Sequence, residues 1–399
     1  MTSWVATASR HRVAHCPPRP SHGCQSVRRA AGRARIQSVP TMWLANASSR
    51  SGRLVDGPAQ RFAAPGIRGA GMSHHPIAPL RGYHHLTMVT RDARENARFY
   101  RDLLRLRLVK QTVDLTMPDV RHVCYGDEIG APGSLLTFFE WPDAPHGQRG
   151  WGGTEHIALR VASGAALAWW RGHLEREGVD LEGPFHDHTR PAIRFRDPDG
   201  LIVELVAPAG DDVPDGAPVF FVPAMAIGRI DHAALLATDR ETASVYYQHM
   251  LGFDLAGEYP NPINPDRADL VFEIDGPAPA ERLIVTLVDH DAVGRAVAGP
   301  GQIHHIAFCV PDEAVELVWQ ERIASAGVNV SDIQDRQYFH SIDFRDPDGH
   351  LLEIATAHPG FAIDEPLESL GQALKLPPWL EHRRDELERR LRPIDGDNE

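Results

Sequence analysis

A ten-residue string occurs twice in this chain, FRDPDGLIVE at 195–204 and FRDPDGHLLE at 344–353, and each copy ends on a glutamate. His156 precedes Glu204 by 48 residues and His305 precedes Glu353 by the same 48, so the two frames are offset by 149. A further histidine lies ahead of each frame: His85 in HHLTMVT and His232 in DHAALLAT, 147 apart. Imidazole nitrogens and carboxylates repeated at constant register are donors that hold a first-row divalent metal. The residues alone allow three sets of two His and one Glu. Pairing the first segment with the last gives His85, His305 and Glu353; pairing the middle two gives His156, His232 and Glu204; a third set is His232, His305 and Glu353. The bland reading of the second set is a duplicated centre that has lost its metal and kept strand residues that pair with each other.

Positioning such donors requires a repeated scaffold. The four His-led strands begin near residues 85, 156, 232 and 305, which divides the chain into four modules of about seventy residues. In module one, His85 to Thr90 alternates with period two, as a strand does, and Asp92 to Leu104 places Ala97, Tyr100, Leu103 and Leu104 on one helical stripe. Asp92 with Glu95, and Thr238 with Glu241, are capping pairs for the first helix of each half. Asp-Pro-Asp-Gly at 197–200 and 346–349 makes a tight turn, because Pro fixes φ and Gly tolerates positive φ. The predicted fold is α+β, with four βαβββ modules paired into curved mixed sheets, since one such unit cannot cover its own sheet. The expected domains are 79–215 (modules one and two) and 216–360 (modules three and four). Residues 361–399, with Pro377–Pro378 and WLEHRRDELERRL, form an expected helical tail on the surface.

With 42% hydrophobic and 24% charged residues, the 399-residue chain has the composition of a soluble globular protein. No apolar run approaches the roughly 18 residues that cross a bilayer, so no membrane partner is expected. The formal charge of −13 argues against nucleic acid, which selects basic surfaces. Charge is unevenly placed: residues 1–72 hold 11 Arg and one acid, Asp56. Residues 1–78 are expected to be a disordered, Arg-rich extension, with an organelle transit peptide or a start at Met72 as other readings. Cys16 and Cys24 sit there, and the remaining two, Cys124 and Cys309, are too few for a disulfide framework. A reducing, cytoplasmic setting follows.

Taken together, the His84–His85 and His304–His305 pairs, YFHSIDFRDPDGHLLEIAT (338–356) and LPPWLEHRRDELE resemble the vicinal oxygen chelate superfamily. That superfamily includes glyoxalase I, bleomycin-resistance proteins and extradiol dioxygenases; within it the likeness is to the hydroquinone-type (para-diol) ring-cleaving dioxygenases, over about residues 80–395. The resemblance implies the vicinal oxygen chelate fold and an Fe(II) site, with Mn(II) as the second candidate, on His85, His305 and Glu353. It implies ring opening of a small aromatic diol by O2. His304 and then His84 are the expected proton-transfer groups, with Arg336 stabilising anionic oxygen. Thr87, Asp343, Tyr338 and His340 are the expected substrate contacts, and Phe308 and Phe339 the walls. Where the family keeps a Tyr ten residues before the Glu ligand, this chain has Asp343, which accepts where a phenol donates. Glu140 stands where a glyoxalase would place a fourth ligand. The same scaffold also carries isomerases or lyases, and metal-free proteins that sequester aromatic ligands. Homo-oligomers are common among soluble enzymes, and one is an open expectation here.

Overall fold

The computed structural model describes residues 77–213, 221–276 and 279–395. The readings made of residues 1–76, Met72, Cys16 and Cys24 included, lie outside the described residues. Within them four repeats are plain. Module one contributes β1 (Tyr83–Thr90), β2 (Arg107–Val113), β3 (Arg121–Gly126) and β4 (Leu135–Glu140), and module two β5 (Thr154–Arg160), β6 (Glu182–Asp187), β7 (Arg190–Arg196) and β8 (Ile202–Val206). Module three contributes β9 (Ile230–Ala237), β10 (Asp254–Pro260), β11 (Ala268–Ile274) and β12 (Glu281–Leu287), and module four β13 (Ile303–Val310), β14 (Gln334–Asp335), β15 (Phe339–Arg345) and β16 (Leu351–Pro359). In every module the first and last strands run parallel, which a helical crossover between them permits.

The modules combine first with last and second with third. One curved eight-stranded sheet runs β14-β15-β16-β13-β1-β4-β3-β2 and the other β10-β11-β12-β9-β5-β8-β7-β6. Antiparallel pairs β1–β13 and β5–β9 are the two seams. Each sheet therefore crosses residue 216, where the sequence suggested a domain boundary. One apolar core serves both sheets: Leu86 and Met88, Ile157 and Leu159, Ala233 and Leu235, and Ile306 and Phe308 all belong to it. Tyr83 ties the sheets directly, its hydroxyl donating to the Arg282 carbonyl at 2.6 Å and accepting from the Ala233 N–H at 3.0 Å.

The helices start as their sequences require, with one shift. Asp92 caps α1 (Ala93–Ala97) by accepting from the Arg94 and Glu95 N–H groups. In module three the cap is Asp239, which accepts from the Thr242 N–H and starts α3 (Arg240–Val245) one residue later than the Thr238–Glu241 reading. Thr238 bonds Asp348 instead. Both helices run on into π-helical turns, Arg98–Leu103 and Tyr246–Met250, that present Tyr100 and Tyr247. Those tyrosines donate to Asp197 and Asp346, the first residues of the two repeated turns. Gly200 and Gly349 hold positive φ there, 86° and 96°. Ser163 and Asp312 cap the remaining crossovers, α2 (Gly164–Arg176) and α4 (Glu313–Ser325).

The tail departs from a simple surface helix. Its α-helix is short, α5 (Arg384–Arg390), and Leu387 is fully buried against Val113, Leu380 and Leu391. Ahead of it, residues 361–376 lie along β2 like a strap. Lys375 N–H bonds the Gln111 carbonyl at 2.8 Å, and buried Lys110 donates to Asp364 at 2.6 Å, to Glu365 and to the Phe361 carbonyl. A lysine without solvent requires such partners, so the strap and β2 fold together.

The two turns are identical in sequence but are followed by different residues, Leu201 and His350, and their carboxyls shift in opposite directions. His350 beside Asp346 overcomes burial and holds that carboxyl low, whereas burial, helped by Asp199, pushes Asp197 up to about 7. A group whose folded pKa is raised makes the folded state bind more protons, so stability is lost as pH rises from about 4 to about 7. We predict that the stability difference between wild type and Asp197→Asn, measured by chemical denaturation, shrinks as pH rises through that window, with a slope of up to about 1.4 kcal/mol per pH unit. Parallel profiles would refute it.

Candidate metal and substrate site

The seam between β1 and β13 determines the site. Tyr83 pairs with Phe308 and His85 with Ala307, so His84 is an extra residue; Thr87 pairs with His305 and Met88 with Ile303, so His304 is another. A bulge on each strand turns both members of a His-His pair to the same face, which strict alternation would forbid. That face is the one opposite the shared core. His85 Nε2 and His305 Nε2 meet there at 3.0 Å. Glu353, on β16 beside β13, lies 3.6 Å from His85 Nε2 and 3.8 Å from His305 Nε2.

All three donors are buried, and burial moves each toward its neutral form: both imidazoles fall well below their usual range and the Glu353 carboxyl rises well above its own, helped by Asp343. The flanking histidines complete a symmetric chain. His84 Nδ1 meets His85 Nδ1 at 2.8 Å and His304 Nδ1 meets His305 Nδ1 at 2.8 Å. If each inner histidine donates through Nδ1, both Nε2 lone pairs face one point, beside a Glu353 Oε1 that has no hydrogen bond. Two facing lone pairs and an orphaned carboxylate oxygen are what a divalent cation satisfies. The donor set therefore fits a two-His, one-carboxylate metal centre with open positions.

Register also identifies the position a fourth ligand would take. Glu353 stands beside Ala307, two residues past His305; two residues past His85 is Thr87, which stands beside Thr137. Thr137 is thus the counterpart of Glu353, and its hydroxyl bonds Thr87 at 2.7 Å. Glu140 points elsewhere, accepting from the Ala93 N–H at 2.9 Å with Arg121 at 3.6 Å.

The other expected site residues divide. Thr87, Asp343 and Arg336 reach the site: Arg336 donates to Ser341 at 3.1 Å and to Asp343 at 3.0 Å, with Glu353 Oε2 4.0 Å away. Phe339 lies against His84 and His85, ring centroids 4.7 and 5.3 Å apart. His340 is not brought in: alternation along β15 puts it on the side of the core residues Ile342 and Phe344, opposite Ser341 and Asp343, and it lies 3.3 Å from Glu313. Tyr338 is committed to the strap, donating to Asp364 at 2.9 Å. Phe308 belongs to the core on the far face, stacked on Tyr83. His122 escaped the sequence reading. Its ring packs on Phe139 at 4.6 Å, and the fields of His304 and Arg336 reach it. The repeat offset of 147 that pairs His85 with His232 pairs His122 with Asp269, and that polar match was its available signal.

The middle modules hold the second triad, His156, His232 and Glu204, in the other sheet. Among the described residues, no metal-type cluster joins His232 to His305.

Curved sheets of paired βαβββ modules with metal donors at the seam define a class, and comparison with known proteins agrees. The model of the glyoxalase/bleomycin resistance protein/dioxygenase superfamily matches residues 82–205 and 229–354. The chain belongs to that superfamily. It is 34% identical to MhqA of Bacillus subtilis, named a putative ring-cleaving dioxygenase, over 79% of this chain and 99% of that one. It is 30% identical to the chlorohydroquinone/hydroquinone 1,2-dioxygenase of Sphingobium indicum, over 78% and 96%. A crystal structure of a putative dioxygenase from Bacillus subtilis superimposes with a TM-score of 0.71 at 32% identity, covering 79% of this chain and 98% of that one.

Two outcomes are expected of the site. Replacing His305 by Ala or Glu353 by Gln abolishes stoichiometric metal binding measured by elemental analysis, and His84→Phe weakens it by about 10–100-fold through loss of the partner that orients His85. Thr137→Glu supplies a fourth ligand, raising Zn(II) affinity in a competition titration. Unchanged metal content in the first two variants would refute the ligand assignment.

Proposed function

We propose that this protein is an Fe(II)-dependent dioxygenase that opens hydroquinone-like (para-diol) or related phenolic rings, inserting both atoms of O2. The observation that carries the reading is the three-donor centre in which Thr137 occupies the fourth place, so that substrate oxygen and O2 can both be accommodated. Mn(II) suits the same donors. The bound metal would lower the pKa of the substrate hydroxyl and bring the ring and O2 together. The names of the relatives support a ring-cleaving reaction, and one of them supports a hydroquinone.

The chain's own groups do the rest. Burial holds His84 and His304 near pKa 4, hence neutral at physiological pH. With His305 Nδ1 donating, the one proton of neutral His304 lies on Nε2, from which it can be donated as a hydrogen bond to a substrate oxygen. His84 stands in the equivalent position beside His85. The Arg336 guanidinium, next to Glu353, faces negative charge developing on the ring oxygens. Asp343 accepts from Arg336 and from Gln334 at 2.9 Å, so it orients the guanidinium in place of the family's phenol. Phe339 and Phe139 border the imidazoles and limit water. A glyoxalase-type isomerase would require a fourth strong donor, and Thr137 is a weak one. A sequestering protein would have no use for the triad.

The free, buried Cys124 and Cys309 support the reading of a reducing, cytoplasmic setting. No described helix is long and apolar enough to cross a membrane. O2 uptake after anaerobic reconstitution with Fe(II) tests the function. Methylhydroquinone and chlorohydroquinone should each consume one O2 per ring while catechol consumes little. Preference for catechol, or no uptake with metal bound, would overturn the proposal.

A further inference from the structure

The second triad copies the first, with the residue opposite the glutamate exchanged. His156 Nε2 and His232 Nε2 stand 2.9 Å apart, and Glu204 Oε1 lies 3.6 Å from His156 Nε2. All three residues are buried. Across β7–β8, Arg194 stands opposite Glu204; across β15–β16, Asp343 stands opposite Glu353. The consequence falls on the carboxylate oxygen nearest the facing imidazoles; the other Glu204 oxygen, Oε2, has no hydrogen bond. Glu353 Oε1 has no hydrogen bond, whereas Glu204 Oε1, the oxygen nearest His156, accepts from Arg194 Nε at 2.6 Å and from Arg194 Nη2 as well. Arg194 is itself buried, with its guanidinium 5.5 Å above the Phe185 ring.

A second cation, Arg282, approaches His232 Nδ1 at 3.1 Å, but its charge is met by Asp187 at 2.6 Å and Asp231 at 3.2 Å. Arg282 can only donate, so His232 Nδ1 is its acceptor here, and a metal at Nε2 would require the His232 proton to move to Nδ1, which lies 3.8 and 3.7 Å from those carboxylates. Arg194 is therefore the cation that answers Glu204. The flanking residues agree: the positions of His304 and His84 are taken by Glu155 and Asp231, again lifted out by bulges in β5 and β9. In the first triad the nearest cation to the carboxylate is the Arg336 guanidinium, 4.0 Å away and bonded to Asp343.

We infer that the second triad is a divalent-metal site in which the Arg194 guanidinium has replaced the ion, and that removing this guanidinium makes the triad bind a divalent cation. A guanidinium satisfies a carboxylate with fixed charge and two N–H groups but cannot accept the imidazole lone pairs, so the ligand class of the unlocked site is a borderline metal such as Co(II) or Zn(II).

The test is Co(II) titration of the full chain, wild type, Arg194→Gln, Arg194→Lys and Arg194→Gln/His156→Ala, read by metal content and visible absorption. Arg194→Gln should bind one more equivalent than wild type. The gain should vanish in the double variant and be absent in Arg194→Lys, which keeps a cation. Because the difference from wild type is read, failure of the His85 site would lower every sample equally and leave this result interpretable. A folded Arg194→Gln with no gain overturns the inference, and so does a wild type that already loses one equivalent on His156→Ala. Should Arg194→Gln not fold alone, recovery of folded protein by refolding only when Co(II) is present supports the inference, and no recovery with Co(II) overturns it.

Discussion

Two imidazoles that meet at 3.0 Å across an antiparallel seam are the contact around which the site is built. They meet because each seam strand carries one residue too many just before its histidine, and the bulge rotates a second imidazole onto the same face. Burial then keeps the histidines neutral, a condition for ligation, and leaves Glu353 with a carboxyl that a cation would stabilise in its ionised form. The curvature of the sheet, the strap along β2 and the tyrosines that hold the repeated turns all support that geometry from outside it.

Duplication supplies a control within the same molecule. The seam β5–β9 has the same bulges, the same pair of facing imidazoles and a glutamate in register. What differs is the residue across from the glutamate and the pair of residues lifted by the bulges. An arginine with acidic flanks gives a centre whose imidazole-facing carboxylate oxygen is held by a fixed charge, and an aspartate with histidine flanks gives one in which that oxygen is unmet. Identical scaffolds thus diverge through a few side chains at register positions, which places function in the site rather than in the fold.

Much of this was readable from the chain alone. The constant offsets located the modules, the Asp-Pro-Asp-Gly turns and both triads, because strand register forces repeated residues to repeated places. The choice of module one with module four did not follow from periodicity, since long-range pairing leaves no local trace; the family likeness supplied it. Bulges were equally silent, so the orientation of His84 and His304 could not be read; His340 instead follows plain alternation with Ile342 and Phe344, a parity that the sequence reading did not apply. Phe308 was misplaced for a related reason: a Phe on a strand of alternating apolar residues suits either side until the core is known. The strap was hidden because Lys110 reads as a surface lysine when its partners Asp364 and Glu365 are 254 and 255 residues away.

The seam also dictates an order of assembly. The ligands of the His85 centre come from residue 85 and from residues 305 and 353, whereas the second triad is complete once residue 232 has been made. During synthesis the middle sheet can close while the first module waits with its seam edge unpaired, because its partner strand has not left the ribosome. The three donors of the His85 centre are thereby brought together only after residue 353 has been made, and the proposed metal site is not displayed on a shorter nascent chain.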